Sequence, residues 1–203
     1  MESVVIVATG TSNTASVAVA VRRCGMNPVE SEDPRRVAGA QRVILPGVGS
    51  FESGMDGLHR RGLVDALRAR VLAQRPLLAI CLGFQLLCRS SEESPGVEGI
   101  GALDAVVRRL PSSVRVPQFG WNFVDVASSR FLEPGFAYYA NSYAAMSAPP
   151  QWRCATTMHG ERFVAAIERG PVLACQFHPE LSGAWGSSVL RRWLTDEERS
   201  FPC

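Results

Sequence analysis

The chain has no lysine; apart from three histidines, its basic side chains are all arginine. That absence removes lysine Schiff-base chemistry and the phosphate-binding loop that ends in Lys-Ser/Thr. Charge of one sign is also lacking. A net charge of +2 over 203 residues gives no electrostatic footprint for nucleic acid or for an anionic membrane. No apolar run approaches the ~20 residues that span a bilayer. The start, Met1-Glu2-Ser3, carries no basic residue, and Val4-Val5-Ile6-Val7 is too short for the apolar region of a secretory signal, so a cytoplasmic protein is expected. Cys24, Cys81, Cys88, Cys154, Cys175 and Cys203 form no CxxC pair. Their spacing fits neither a zinc site nor a small disulfide framework, and most read as buried apolar residues. No metal and no cofactor are expected.

Hydrophobic residues make up 46% of the sequence, enough for a sizeable core, and the length suits one domain over 1–203. The first half alternates. Residues 3–8 form an apolar, β-rich run, and 14–24 have a helical pattern. Residues 41–45 are a second apolar run, closed by Pro46-Gly47-Val48-Gly49-Ser50. One helix is expected over 57–74, where Leu58, Leu63, Val64, Leu67 and Val71 fall near helical spacing. Residues 76–80 are a third apolar run, followed by a helix over 82–89. After residue 90 the texture changes to a polar loop (91–101) and then strands at 103–109, 121–126, 137–144, 152–158 and 163–168. An apolar strand over 171–177 ends at His178. A helix over 184–194 follows, with Trp185, Val189, Leu190 and Trp193 on one face. These patterns imply a three-layer α/β fold, with a largely parallel central sheet and an antiparallel extension.

Three segments could carry chemistry. Cys81 stands between an apolar run and a helix and is followed by Leu82-Gly83, the pattern of a strand-to-helix elbow that exposes a nucleophile. A helix N-terminus there favours thiolate over thiol. Taken alone, Cys81 reads more readily as a buried core cysteine. His178 ends a strand, where α/β sheets bind ligands. Pro179 extends the backbone so that Glu180 reaches back and sets the imidazole tautomer. His59 and His159 fall on a helix surface and in a turn, and both are expected to be solvated. The Pro46-Gly47-Val48-Gly49 turn can aim backbone N–H groups at a negative oxygen, although glycine alone is weak evidence.

Together these segments resemble the class I glutamine amidotransferases, the Cys-His-Glu triad type with a flavodoxin-like fold. The matching stretches are Leu45-Pro46-Gly47-Val48-Gly49, Cys81-Leu82-Gly83-Phe84-Gln85-Leu86-Leu87, Ser91-Glu92-Glu93, Gly120-Trp121-Asn122, Asn141-Ser142-Tyr143 and Gln176-Phe177-His178-Pro179-Glu180-Leu181-Ser182-Gly183. Pro-Gly-Val-Gly and Gly-Trp-Asn point, within that class, to the glutaminase subunits of imidazole glycerol phosphate synthase in histidine biosynthesis. The resemblance implies that Cys81 attacks the side-chain amide of L-glutamine, with His178 as acid and base and Glu180 orienting it. It implies backbone oxyanion donors at Val48 and Leu82, and substrate contacts at Gly49, Gln85, Glu93, Ser142 and Tyr143. It further implies a heterodimer with a (βα)8-barrel cyclase subunit that meets Asn13, Trp121, Asn122 and Leu181 and raises a weak basal activity.

The chain departs from the family at residues 8–13, where an acid and a Gly-x-Gly-Asn-like turn are common. It has Gln118 and Asn141 where the family usually has histidine, and Leu181 where a basic residue is common. None of these changes removes a catalytic atom, and some fall where the cyclase would dock. Three alternatives remain open: a paralogue feeding ammonia to another synthase, a silent binding module, and a cysteine hydrolase acting on peptides or γ-glutamyl compounds.

Overall fold

Strand alternation sets the layers. In β1 (Ser3–Val7), Val4 and Ile6 join one buried cluster while Val5 and Val7 join the other. The same division recurs in β3 (Arg42–Gly47), β4 (Leu77–Cys81) and β12 (Val172–Cys175): Ile44, Leu78, Ile80, Leu173 and Cys175 face one cluster, and Val43, Leu45, Leu77, Ala79, Val172 and Ala174 the other. A sheet apolar on both faces must be covered on both. The computed structural model, which describes residues 2–10 and 13–196, supplies the cover. Helices α1 (Thr14–Arg23) and α6 (Gly183–Leu194) pack on the first face. Helices α2 (Pro34–Gly39), α3 (Phe51–Arg60), α4 (Val64–Leu72) and α5 (Leu82–Leu87) pack on the second.

The main sheet has nine strands. Its parallel part runs β2-β1-β3-β4-β12, with β2 (Asn27–Ser31) at the edge, the strand order of flavodoxin-like sheets. It continues antiparallel through β11 (Glu161–Arg169), β10 (Arg153–His159), β7 (Gln118–Val126) and β8 (Gly135–Asn141). A second, three-stranded sheet joins β5 (Ser90–Ser91), β6 (Val106–Arg109) and β9 (Tyr143–Ala145).

Several local expectations change. The helix expected over 57–74 is two helices, α3 and α4. Gly62 takes φ +64, and the N–H groups of Gly62 and Leu63 bond the carbonyls of His59 and Leu58 at 3.0 Å each, so the chain stops and turns. The strand expected over 137–144 also divides. Its first part pairs in the main sheet as β8, and after Ser142 the chain crosses to β6 as β9. β2 and α2 carry no apolar run and are additions to the sequence reading. β2 is a half-exposed edge strand containing Pro28 and Glu30, and α2 starts from the Asp33 cap with Pro34 in its first turn. The polar stretch 91–101 begins inside β5.

A buried arginine clasps the parallel layer. Arg70, on α4, is 1% exposed and donates to the carbonyls of Val37, Ala38, Ala40, Gln41 and Pro76 at 2.8–3.3 Å. It ties the turns at the start of β3 and β4 to the helix that covers them.

Candidate active site

β3, β4 and β12 are neighbours in the sheet, and their carboxyl ends supply a loop, a thiol and an imidazole side by side. Cys81 closes β4 at φ 53, ψ −111, a conformation that L side chains rarely adopt. The turn is tight because two glycines let backbones touch. A Cβ on Gly83 would lie 2.0 Å from the Leu45 carbonyl oxygen, and one on Gly47 would lie 2.8 Å from the Gly83 nitrogen. β3 and α5 therefore pack backbone to backbone beneath the thiol.

His178 is 6% exposed. Its Nδ1 lies 2.9 Å from Glu180 Oε1, which fixes the orientation of the ring and leaves Nε2 for the Cys81 side. The main chain here is pinned to β8: the His178 N–H donates to the Tyr138 carbonyl at 2.9 Å, the Ser182 hydroxyl donates to the His178 carbonyl at 2.6 Å, and the Tyr138 N–H donates to Ser182 Oγ at 2.9 Å. Burial alone pulls the imidazole pKa down. Hydrogen bonds to Cys81 and Glu180, and the negative charges of both, outweigh it and push the value up to about 10. The histidine is therefore held as imidazolium, with Glu180 hydrogen-bonded to one nitrogen. Burial pushes the Cys88 thiol up to about 12 and the Cys175 thiol well above its ordinary range. Cys81, Cys88 and Cys175 are buried, Cys24 and Cys154 are half-buried, and Cys203 lies outside the described residues.

A cavity of about 340 Å³ opens over Cys81 and His178. Val48, Gly49, Leu82, Gln85, Glu93, Ser142 and Tyr143 line it, the oxyanion and substrate positions expected from the sequence. Some polar groups there already have partners. Glu93 accepts from the Phe51 N–H at 2.8 Å, and Ser94 Oγ accepts from the Glu52 N–H at 3.2 Å, so this segment caps α3. The Tyr143 carbonyl accepts from Gln85 Nε2 at 2.8 Å and from Asn141 Nδ2 at 3.1 Å, while the Ser142 carbonyl accepts from the Leu110 N–H at 2.9 Å.

The four expected contact residues differ in how free they are. Asn13 caps α1 through the Ser16 N–H and lines a small crevice with Val48, His178 and Glu180, so it stands beside the triad residues. Residues 11 and 12 lie outside the described residues. Trp121 and Leu181 are exposed. Asn122 is half-buried, and its Nδ2 donates to the Met158 carbonyl at 2.6 Å, which ties β7 to β10. His59 is exposed as expected, whereas His159 is half-buried, its Nε2 lying 2.8 Å from the Arg115 carbonyl.

The motif match gave no role to Gln176, which lies beside Cys81, and noted Asn141 only as a departure from the family, although it lines the cavity. A further feature went unread. Phe119, Trp121 and Phe123 form an exposed aromatic row on β7, flanked by Phe136 of β8 and Met158 of β10. Period-2 aromatics between residues 119 and 123 were the legible signal for that row. Among the described residues, no group of three or more His, Cys, Asp or Glu is placed to hold a metal ion, and no helix is long and apolar enough to cross a membrane.

Cysteine on an elbow, imidazole on the next strand and a carboxylate behind it define a class of enzyme site, and the comparisons agree. The family model described as glutamine amidotransferase class-I matches residues 5–196. A crystal structure titled as a glutamine amidotransferase superposes with TM-score 0.77 at 21% identity, covering 94% of this chain and 96% of that one. PurLQS from Thermotoga maritima superposes with TM-score 0.74 at 17% identity, covering 95% and 97%. The imidazole glycerol phosphate synthase subunit HisH of Symbiobacterium thermophilum is 41% identical over 198 residues, covering 95% of this chain and 93% of the relative. HisH of Escherichia coli K12 is 39% identical over 198 residues, covering 95% and 98%. The chloroplastic hisHF protein of Arabidopsis thaliana is 41% identical over 193 residues, which cover 91% of this chain but 33% of that longer protein. The chain belongs to the class I glutamine amidotransferases and, within them, to the HisH family.

Proposed function

We propose that the chain is the glutaminase subunit of an imidazole glycerol phosphate synthase, working in the cytoplasm on L-glutamine and passing ammonia to a (βα)8-barrel cyclase. The observation that carries this reading is the grouping of Cys81, His178 and Glu180 beneath one cavity, in a chain of the HisH family. The Cys81 thiolate attacks the side-chain amide carbon of glutamine, and the backbone N–H groups of Val48 and Leu82 receive the oxyanion. The imidazolium of His178 gives its proton to the departing nitrogen. The C–N bond breaks, ammonia leaves, and a γ-glutamyl thioester remains. Neutral His178 then takes a proton from water, which attacks the thioester. The C–S bond breaks, glutamate leaves and the thiolate returns. Glu180 keeps the imidazole aimed throughout.

The exposed row of Phe119, Trp121, Phe123, Phe136 and Met158 supports the partner side of this reading. Phe119 also lines the cavity, so the apolar face starts at the mouth of the site. Contiguous exposed apolar surface of this kind marks a docking face.

The deciding experiment measures glutamine hydrolysis with and without the cyclase and its nucleotide ligand. Stimulation that disappears in Cys81→Ala is expected. Full activity in Cys81→Ala, or no labelling of Cys81 by a glutamine-analogue chloroketone, overturns the reading. A glutaminase that ignores the cyclase instead favours a paralogue serving another synthase.

A further inference from the structure

The Cys81 sulfur has a second polar neighbour. Gln176 is 0% exposed, and its Nε2 lies 3.7 Å from Cys81 Sγ in donor geometry. The ladder between β12 and β4 puts it there. Cys175 is level with Ile80, so the next residue on each strand meets across the carboxyl edge of the sheet.

The surrounding bonds fix which end of this amide faces the sulfur. Gln85 Nε2 donates to the Tyr143 carbonyl at 2.8 Å and to Gln176 Oε1 at 3.0 Å. Those two bonds use both hydrogens of the Gln85 nitrogen. Turning Gln85 over would set its oxygen against two acceptors. Turning Gln176 over would set nitrogen against nitrogen at one end and carbonyl oxygen against sulfur at the other. The network therefore keeps an N–H on the thiol. An amide does not titrate in this range, so it neither takes nor gives the proton that His178 moves; it can only donate a hydrogen bond. Such a donor favours anionic sulfur over thiol or thioester, because hydrogen bonds to a charged acceptor are roughly twice as strong as neutral ones.

We propose that Gln176 serves the reaction as a standing N–H donor to the Cys81 sulfur. It holds the thiolate in place before attack and receives it again when the C–S bond of the thioester breaks. Gln85 is the brace that keeps it facing the right way. The inference rests on Cys81 being the nucleophile of the glutaminase reading.

The test uses the full chain, alkylated with iodoacetamide at fixed pH, with each cysteine followed by mass spectrometry. Iodoacetamide is small and needs no glutamine recognition, so it reads the sulfur and not the substrate pocket. Gln176→Met keeps the bulk without the donor, and Gln176→Glu places an anion before the sulfur. Cys81 is expected to react about tenfold more slowly in Gln176→Met and slower still in Gln176→Glu. Cys24 and Cys154 should keep their wild-type rates, which reports an intact fold. With the cyclase present, kcat for glutamine should fall by a similar factor while KM changes little. A wild-type Cys81 rate in either folded variant overturns the proposal.

If neither variant folds, the decision passes to the unaltered chain. The side-chain nitrogen signal of Gln176 must move when Cys81 is alkylated, and an unmoved signal overturns the proposal. Chloroketone labelling separates the two failures. An unlabelled wild-type Cys81 sinks the glutaminase reading and this inference with it. A labelled one with unslowed variants sinks only the role of Gln176.

Discussion

Cys81 carries a conformational cost as well as a thiol. At φ 53, ψ −111 its backbone sits in the mirror image of the extended region, which glycine alone enters freely. Strain of this kind amounts to about 1–3 kcal/mol, against about 0.5–1 kcal/mol of extra entropy cost for glycine. Cys81→Gly should abolish glutamine hydrolysis, while the relieved strain offsets the loss of the buried side chain, so the unfolding midpoint should stay within about 3 °C of wild type. A fall of about 8 °C or more would contradict this account. His178 makes a pH-dependent contribution. Its folded value of about 10 lies above the ordinary 6.5, so the stability it adds is complete below about pH 6.5 and is lost as pH rises towards 10. The gap in unfolding midpoint between wild type and His178→Ala should be widest near pH 6 and close across that window; calorimetry at several pH values checks it. The grouping of Cys81, His178 and Glu180 was legible from the order of motifs along the chain, since the local sequence alone leaves Cys81 a core cysteine and His178 an ordinary strand end. The position of Gln176 was not, because it depends on the register of β12 against β4, two strands about ninety residues apart in the chain.

Helices and strands were legible where one apolar face was continuous. β1, β3, β4 and β12 each read as buried runs, because both faces of the parallel sheet are covered. β2 and α2 escaped notice because an edge strand and a short capped helix bury too little to leave a pattern. The α3–α4 break was written in Gly62, but the apolar spacing runs through it and masks the stop. The Arg70 clasp belongs to the same scale. Its planar fork reaches five carbonyls from three segments, a task that a single ammonium cannot copy. Arg70→Lys should cost about 3 kcal/mol by stranding buried acceptors. Denaturant unfolding would measure it, and a change below about 0.5 kcal/mol would count against the clasp.

On the whole molecule, the site sits at the seam between a parallel half and an antiparallel half. Cys81 comes from the first half, and the His178 segment hangs on β8 of the second. The exposed aromatic row runs outward from that seam, so a partner docked there would press on strands that touch the cavity. Trp121 is the expected anchor of the row, being 56% exposed and braced edge-on by Tyr138. Trp121→Ala should weaken association with the cyclase about thirtyfold, or about 2 kcal/mol, while chloroketone labelling of Cys81 in the isolated chain stays unchanged. Sedimentation with purified cyclase would read the first effect and mass spectrometry the second. The order in which the chain is made adds one consequence. β12 is the last strand in chain order among the described residues, yet it lies at the centre of the sheet, between β4 and β11. On the ribosome, the thiol segment therefore emerges long before the strand that bridges the halves and the imidazole that follows it. The main sheet becomes continuous only when this late strand slots in between β4 and β11. A partly synthesised chain holds an unpartnered cysteine, and catalytic competence arrives only with the final closure of the sheet.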